Sequence, residues 1–199
     1  MPQLATVHLP QIVKVGEYDL TLRLMTAEDS GRLLSFARGL PSSDLLFLRR
    51  DITRPDEIAA WINDIESGSN RSILAVTGDE VVGYSAVART ELRWMHHVAE
   101  LRVLVQEKYR RGGLGRLLIT SAFHAAVDMG VEKMMAQMTV DQEGAIGVFY
   151  RLGFEEEARL RNHVKDRDGK LYDLIVLSQD VSEYQAMRHE HRGDEPERA

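Results

Sequence analysis

Seven consecutive positions, Arg110-Arg111-Gly112-Gly113-Leu114-Gly115-Arg116, hold three arginines and three glycines. Glycine lets the backbone turn tightly and approach a ligand without a Cβ in the way. Ahead of the turn, Val103-Leu104-Val105 reads as a strand. Behind it, Leu117, Leu118, Ser121, Ala122, Ala125 and Met129 recur at helical spacing. A helix beginning at the turn offers unpaired N–H groups and partial positive charge, so the stretch should receive a phosphate or pyrophosphate. The nucleotide-triphosphate loop needs a Lys-Ser/Thr pair where Arg116-Leu117 stands. The dinucleotide fingerprint needs Gly or Ala where Leu118 stands. An ordinary glycine-rich strand-to-helix turn is the structural alternative.

The 199 residues carry a net charge of −6, which argues against a nucleic-acid binder. From Lys108 to Arg116 there are four cations and no acid, a local reversal that suits a small anionic ligand. The overall acidity leans slightly towards cationic ligands such as polyamines, aminoglycosides or lysine side chains. With no cysteine, disulfides, thiolate metal sites and a cysteine nucleophile are excluded. No apolar run reaches the length of a membrane span and the N-terminus lacks the pattern of a secretory signal, so a cytoplasmic location is expected. His96 and His97 point in opposite directions on an extended chain and lack a third ligand at metal spacing; no metal site is expected.

The elements that must position the turn are legible from periodicity. Leu20, Leu22 and Leu24 alternate as a half-buried strand, and Thr26 caps a helix carrying Leu33, Leu34 and Ala37. Pro55 opens a second helix with Ile58, Trp61, Ile62 and Ile65 as its buried stripe. Segments 72–77 and 81–88 form a hairpin about Gly78, and 98–105 leads into the basic turn. Segment 131–140 is a buried strand. Ala145, Val148, Phe149 and Leu152 make a further amphipathic helix, and strands 154–164 and 170–179 close around Asp168-Gly169. The order predicts an α/β domain with a mixed sheet of about seven strands flanked by about four helices, with a parallel crossover at the turn. Residues 1–18 read as an extended lead-in, 19–180 as the domain and 181–199 as a polar tail.

Arg110-x-x-Gly113-x-Gly115 after a strand resembles the acetyl-CoA signature of the GNAT superfamily of N-acetyltransferases. Downstream, Phe149-Tyr150-Arg151-Leu152-Gly153-Phe154 resembles the family's second signature, Tyr-x-x-Gly-Phe. The likeness covers residues 19–180 and implies the GNAT (acyl-CoA N-acyltransferase) fold. Two positions depart from the family pattern: Gly144 and Gly147 stand where Asn and Ala are frequent. The resemblance implies acetyl-CoA as acyl donor, with Val103, Leu104 and Val105 lending main chain to its pantetheine arm. It also implies that Arg110, Arg111, Gly112, Gly113, Leu114, Gly115 and Arg116 hold its pyrophosphate. Tyr150 is the expected general acid to the departing sulfur; it lies about 140° from Ala145 on the helical wheel, off the buried stripe. Glu100 is the expected base, sharing a face with Arg102 and Leu104; pairing with Arg102 or a cross-strand cation is the alternative.

Direct attack of a primary amine in a ternary complex is expected, since no serine occupies a nucleophile elbow. The acceptor, a small amine or a protein lysine or N-terminus, is not identified by sequence, although the family usually builds its site near Asp44 and 45–50. The competing reading is a catalytically inactive acyl-CoA-binding regulatory module or protein-interaction scaffold. A homodimer is common in the family; neither nucleic acid nor membrane is an expected partner.

Overall fold

The computed structural model describes residues 9–46, 48–90 and 92–184. Eight strands form one sheet in the order β1-β2-β3-β4-β5-β6-β8-β7. They are β1 (Gln11–Val15), β2 (Tyr18–Leu24), β3 (Asn70–Thr77), β4 (Glu80–Arg89), β5 (Val98–Val105), β6 (Lys133–Thr139), β7 (Glu155–Lys165) and β8 (Leu171–Asp180). The helices are α1 (Ser30–Arg38), the single turn α2 (Ser42–Leu45), α3 (Pro55–Glu66), α4 (Leu114–Asp128) and α5 (Glu143–Arg151). Every neighbouring pair is antiparallel except β5 and β6, which the α4 crossover makes parallel. Among the described residues no helix is long and apolar enough to cross a membrane.

Each face of the sheet has its own core. On one face α4 and α5 bury Leu118, Phe123 and Phe149 against Leu22, Leu101 and Met134. On the other, α1 and α3 bury Phe36, Ile58 and Trp61 against Leu74, Tyr84 and Ala86. Alternation along β5 divides its side chains between these faces. Leu101 and Val105 belong to the α4 core, with Val103 packed against it, while Leu104 packs against the α1/α3 core.

Three expectations are corrected. The lead-in contains β1, which pairs with β2 from Gln11↔Leu22 to Val15↔Tyr18 and brings the sheet to eight strands. In α5, Ala145 is exposed and Ile146 packs against the core beside Phe149, so the buried stripe is rotated from the expected one. The polar tail does not begin at residue 181: Val181 and Tyr184 are buried, and the Tyr184 ring stacks on Phe123 with centroids 3.7 Å apart. The remainder of the tail, 185–199, lies outside the described residues.

Candidate functional site

The three glycines of the basic turn answer to three different constraints. A Cβ at Gly112 would come within 2.7 Å of Val15 Cγ1, so β1 packs directly against the turn. Gly113 has φ +90°, a left-handed conformation that disfavours any Cβ. Gly115 faces open space within the first turn of α4, leaving the backbone approachable. Leu117 N–H donates to the Gly113 carbonyl at 3.1 Å. The N–H groups of Leu114, Gly115 and Arg116 precede that bond at the head of a 15-residue helix and have no intrahelical acceptor. Arg111 and Arg116 are exposed beside them, and Arg111 itself adopts φ 65°. This cradle fits an anion.

Two of the turn's cations are otherwise engaged. The Lys108 ammonium lies 4.8 Å from the centre of the Tyr18 ring. Arg110 Nε donates to the Val105 carbonyl at 2.9 Å, and its other arm pairs with Asp44 at the head of α2. Arg110 therefore locks the end of β5 and ties α2 to the turn.

Next to the turn the sheet opens. β5 is in register with β4 from Ala99 to Val105, but with β6 only at Val98↔Lys133, Ala99↔Met134 and Glu100↔Met135. Beyond Glu100 the two parallel strands diverge. The β6-facing edge of residues 101–105 thus has no strand partner among the described residues, and the gap runs towards the cradle.

On the α1/α3 face, a cavity of about 420 Å³ reaches β5 where the divergence begins, and Glu100, Arg102, Tyr84, Trp61, Arg49 and Arg50 are among its lining. Arg102 donates to Glu100 at 2.5 Å, and Arg49 approaches the same carboxylate at 3.9 Å. Tyr84 packs edge-on to Trp61, centroids 4.9 Å apart, and burial pushes its hydroxyl pKa up to about 12. It therefore stays neutral and able to donate throughout the physiological range. A larger groove, about 1110 Å³, lies past the end of β5 beside Gln106, Lys108 and α1; its lining includes neither Glu100 nor Arg102.

Residues 40–154 match the acetyltransferase (GNAT) family, a span that holds both the basic turn and the segment 149–154. The chain belongs to the GNAT family. It is 26% identical over 149 residues to N-alpha-acetyltransferase 30 of Xenopus laevis, across 74% of this chain and 52% of that protein. The chain thus spans about half the length of that curated relative. The structure of a GNAT-family acetyltransferase from Streptococcus pneumoniae superposes with a TM-score of 0.71 at 19% identity, covering 81% of this chain and 99% of that one. Spermidine N-acetyltransferase from Vibrio cholerae, solved in complex with CoA and spermine, gives 0.69 at 19% identity, covering 83% and 98%.

Within this GNAT fold the expected site residues do not all converge. Val103, Leu104 and Val105 line the divergence, Gly113 to Arg116 form the cradle, and Glu100 opens to the cavity. Tyr150 stands apart. α5 packs on the α4 face of the sheet, whereas Glu100 opens to the α1/α3 face. The Tyr150 hydroxyl donates to Glu156 Oε2 at 3.3 Å on β7. β7 is the edge strand of the sheet, beyond β6 and β8 from β5. The neighbouring Phe149 points into the core instead, packed on Phe154 with centroids 4.8 Å apart. Tyr84 escaped sequence reasoning because alternation marks it only as a core residue. The apolar-basic patch 45–50 was the one sequence signal for Leu48, Arg49 and Arg50, which line the cavity.

Proposed function

We propose that this chain transfers an acetyl group from acetyl-CoA to a primary amine, the amine entering the Glu100 cavity and reacting where β5 and β6 part. When bound, acetyl-CoA would supply a thioester whose C–S bond breaks as the C–N bond forms; the amine's proton would go to Glu100 and the departing thiolate would take one from water in the open gap. The N–H groups of Leu114, Gly115 and Arg116, with the charges of Arg111 and Arg116, hold the pyrophosphate. The β6-facing main chain of Val103 and Val105 receives the pantetheine arm, since Gln106 N–H donates to the Val82 carbonyl and alternation turns the Leu104 main chain towards β4. A strand-end N–H near Leu104 or Val105 polarises the carbonyl where negative charge develops.

Glu100 takes the amine's proton, directly or through water, while Arg102 fixes the carboxylate's orientation. The Tyr84 hydroxyl donates a hydrogen bond into the same cavity. We assign no step to Tyr150, whose hydroxyl donates to Glu156. The reading rests on one observation above all: Glu100 is the last β5 residue paired with β6 and also lines the cavity. Cradle, gap and cavity are thereby joined at one strand.

Calorimetric titration of acetyl-CoA into the wild type and Gly115→Asp tests the foundation. An aspartate in the first turn favours the helix dipole, so stability should hold or rise slightly. The same carboxylate should repel the pyrophosphate and weaken acetyl-CoA at least about tenfold. Equal affinity in both proteins would remove the cradle from the site. Tight binding without thiol release for any amine would identify a binding module instead.

A further inference from the structure

The cavity's charge runs against that of the chain. Its lining includes four arginines, Arg49, Arg50, Arg89 and Arg102, against two carboxylates, Asp64 and Glu100, although the chain as a whole carries −6. Arg50 is matched by Asp64 at 2.6 Å, and Arg102 by Glu100 at 2.5 Å. Among the described residues Arg89 donates to carbonyls, those of Met129 at 3.0 Å and Gly68 at 3.2 Å, rather than to a carboxylate. Arg49 reaches no closer than 3.9 Å to the Glu100 carboxylate that Arg102 already engages, and its side chain is 64% exposed. Among the described residues the lining thus holds more cations than carboxylates, and the Arg49 guanidinium retains donors for a ligand.

We propose that the acceptor amine also carries a carboxylate, which Arg49 receives while Glu100 faces the amine. This rests on the acetyltransferase reading and narrows it. A guanidinium matches a carboxylate through two parallel N–H donors, which a lone ammonium cannot use. Arg49 and Glu100 lie close enough that one α-amino acid can address both, amine to carboxylate and carboxylate to guanidinium. A cavity of about 420 Å³ also suits a ligand of that size. A polyamine would instead bring several positive charges to a lining that already has an excess, a repulsive mismatch. The charge of the whole chain leans towards cationic acceptors; the local charge of the cavity reverses that lean.

The test pairs each L-amino acid with its own amide, which keeps the amine and removes the carboxylate, with spermidine as the polycationic probe. Thiol release from acetyl-CoA is measured for each, and saturation-transfer NMR reports binding of the two pools to the protein with and without CoA. The expected result is a best acid whose kcat/KM exceeds that of its amide by about tenfold or more, a preference that Arg49→Met largely abolishes. Saturation transfer should likewise favour the acids and lose that bias in Arg49→Met. If amides or spermidine react as well as the acids, the carboxylate proposal falls and acetyl transfer stands. If acetyl-CoA binds but neither pool reacts nor shows a bias for acids, the proposal falls as well. Failure of acetyl-CoA itself to bind would defeat the acetyltransferase reading, while the NMR comparison still decides whether the cavity prefers acids.

Discussion

Glu100 is held by two arginines and stands 21% exposed at its side chain, beside the gap between β5 and β6. Both guanidinium groups thus lie beside its carboxylate, which also lines the cavity. Replacing it with glutamine preserves shape and removes the proposed base. Glu100→Gln should lower kcat by about 10²-fold or more, read by thiol release, with acetyl-CoA affinity little changed. Tyr150 gives the opposite expectation, because its hydroxyl contacts Glu156 on the edge strand rather than the cavity. Tyr150→Phe should leave kcat within about twofold of wild type. A loss matching that of Glu100→Gln would return Tyr150 to the mechanism.

At the scale of elements, the passage from β2 into α1 depends on one buried carboxylate. Asp29 accepts from Arg23 at 2.8 and 2.5 Å, and from the Thr26 N–H at 2.9 Å. Burial opposes its charge, yet the hydrogen bonds from Arg23 and Thr26 prevail and its pKa falls from 3.8 to about 2. A depressed carboxylate pKa contributes stability above the unfolded value and loses it as pH falls through the folded one. The Asp29 contribution should therefore disappear between about pH 4 and pH 2. Asp29→Asn should cost about 3 kcal/mol at neutral pH by urea unfolding, since it leaves Arg23 without its anion. The variant should also lose less stability than wild type across that acid range. This strut fixes the start of α1 against β2.

Over the whole molecule, the α4 core is closed by segments far apart in the chain. Tyr184 stacks on Phe123 of α4 and is 3% exposed, and β1 lies against Gly112 of the basic turn. Both ends of the described chain thus buttress the element that presents the cradle. Tyr184→Ala should cost about 3 kcal/mol by thermal or urea unfolding, because it leaves a void over Phe123. A change below about 0.5 kcal/mol would show that this end is not part of the cooperative unit.

What the sequence determined by itself was local. The Arg110 to Arg116 turn, the helix behind it and the hydrophobic period of each strand are carried by residues adjacent in the chain, and backbone sterics dictate their conformation there. The side on which Glu100 points follows from the same alternation. Tertiary structure alone decided which residues share the cavity: Arg49, Tyr84 and Glu100 meet only because β4 and β5 pair beneath the segment joining α2 to α3. It also set the direction of Tyr150, whose hydroxyl donates to Glu156 on β7. Charge shows the same division. Composition counts every charge on the chain equally, whereas a ligand meets only those that pairing leaves unneutralised at the cavity wall.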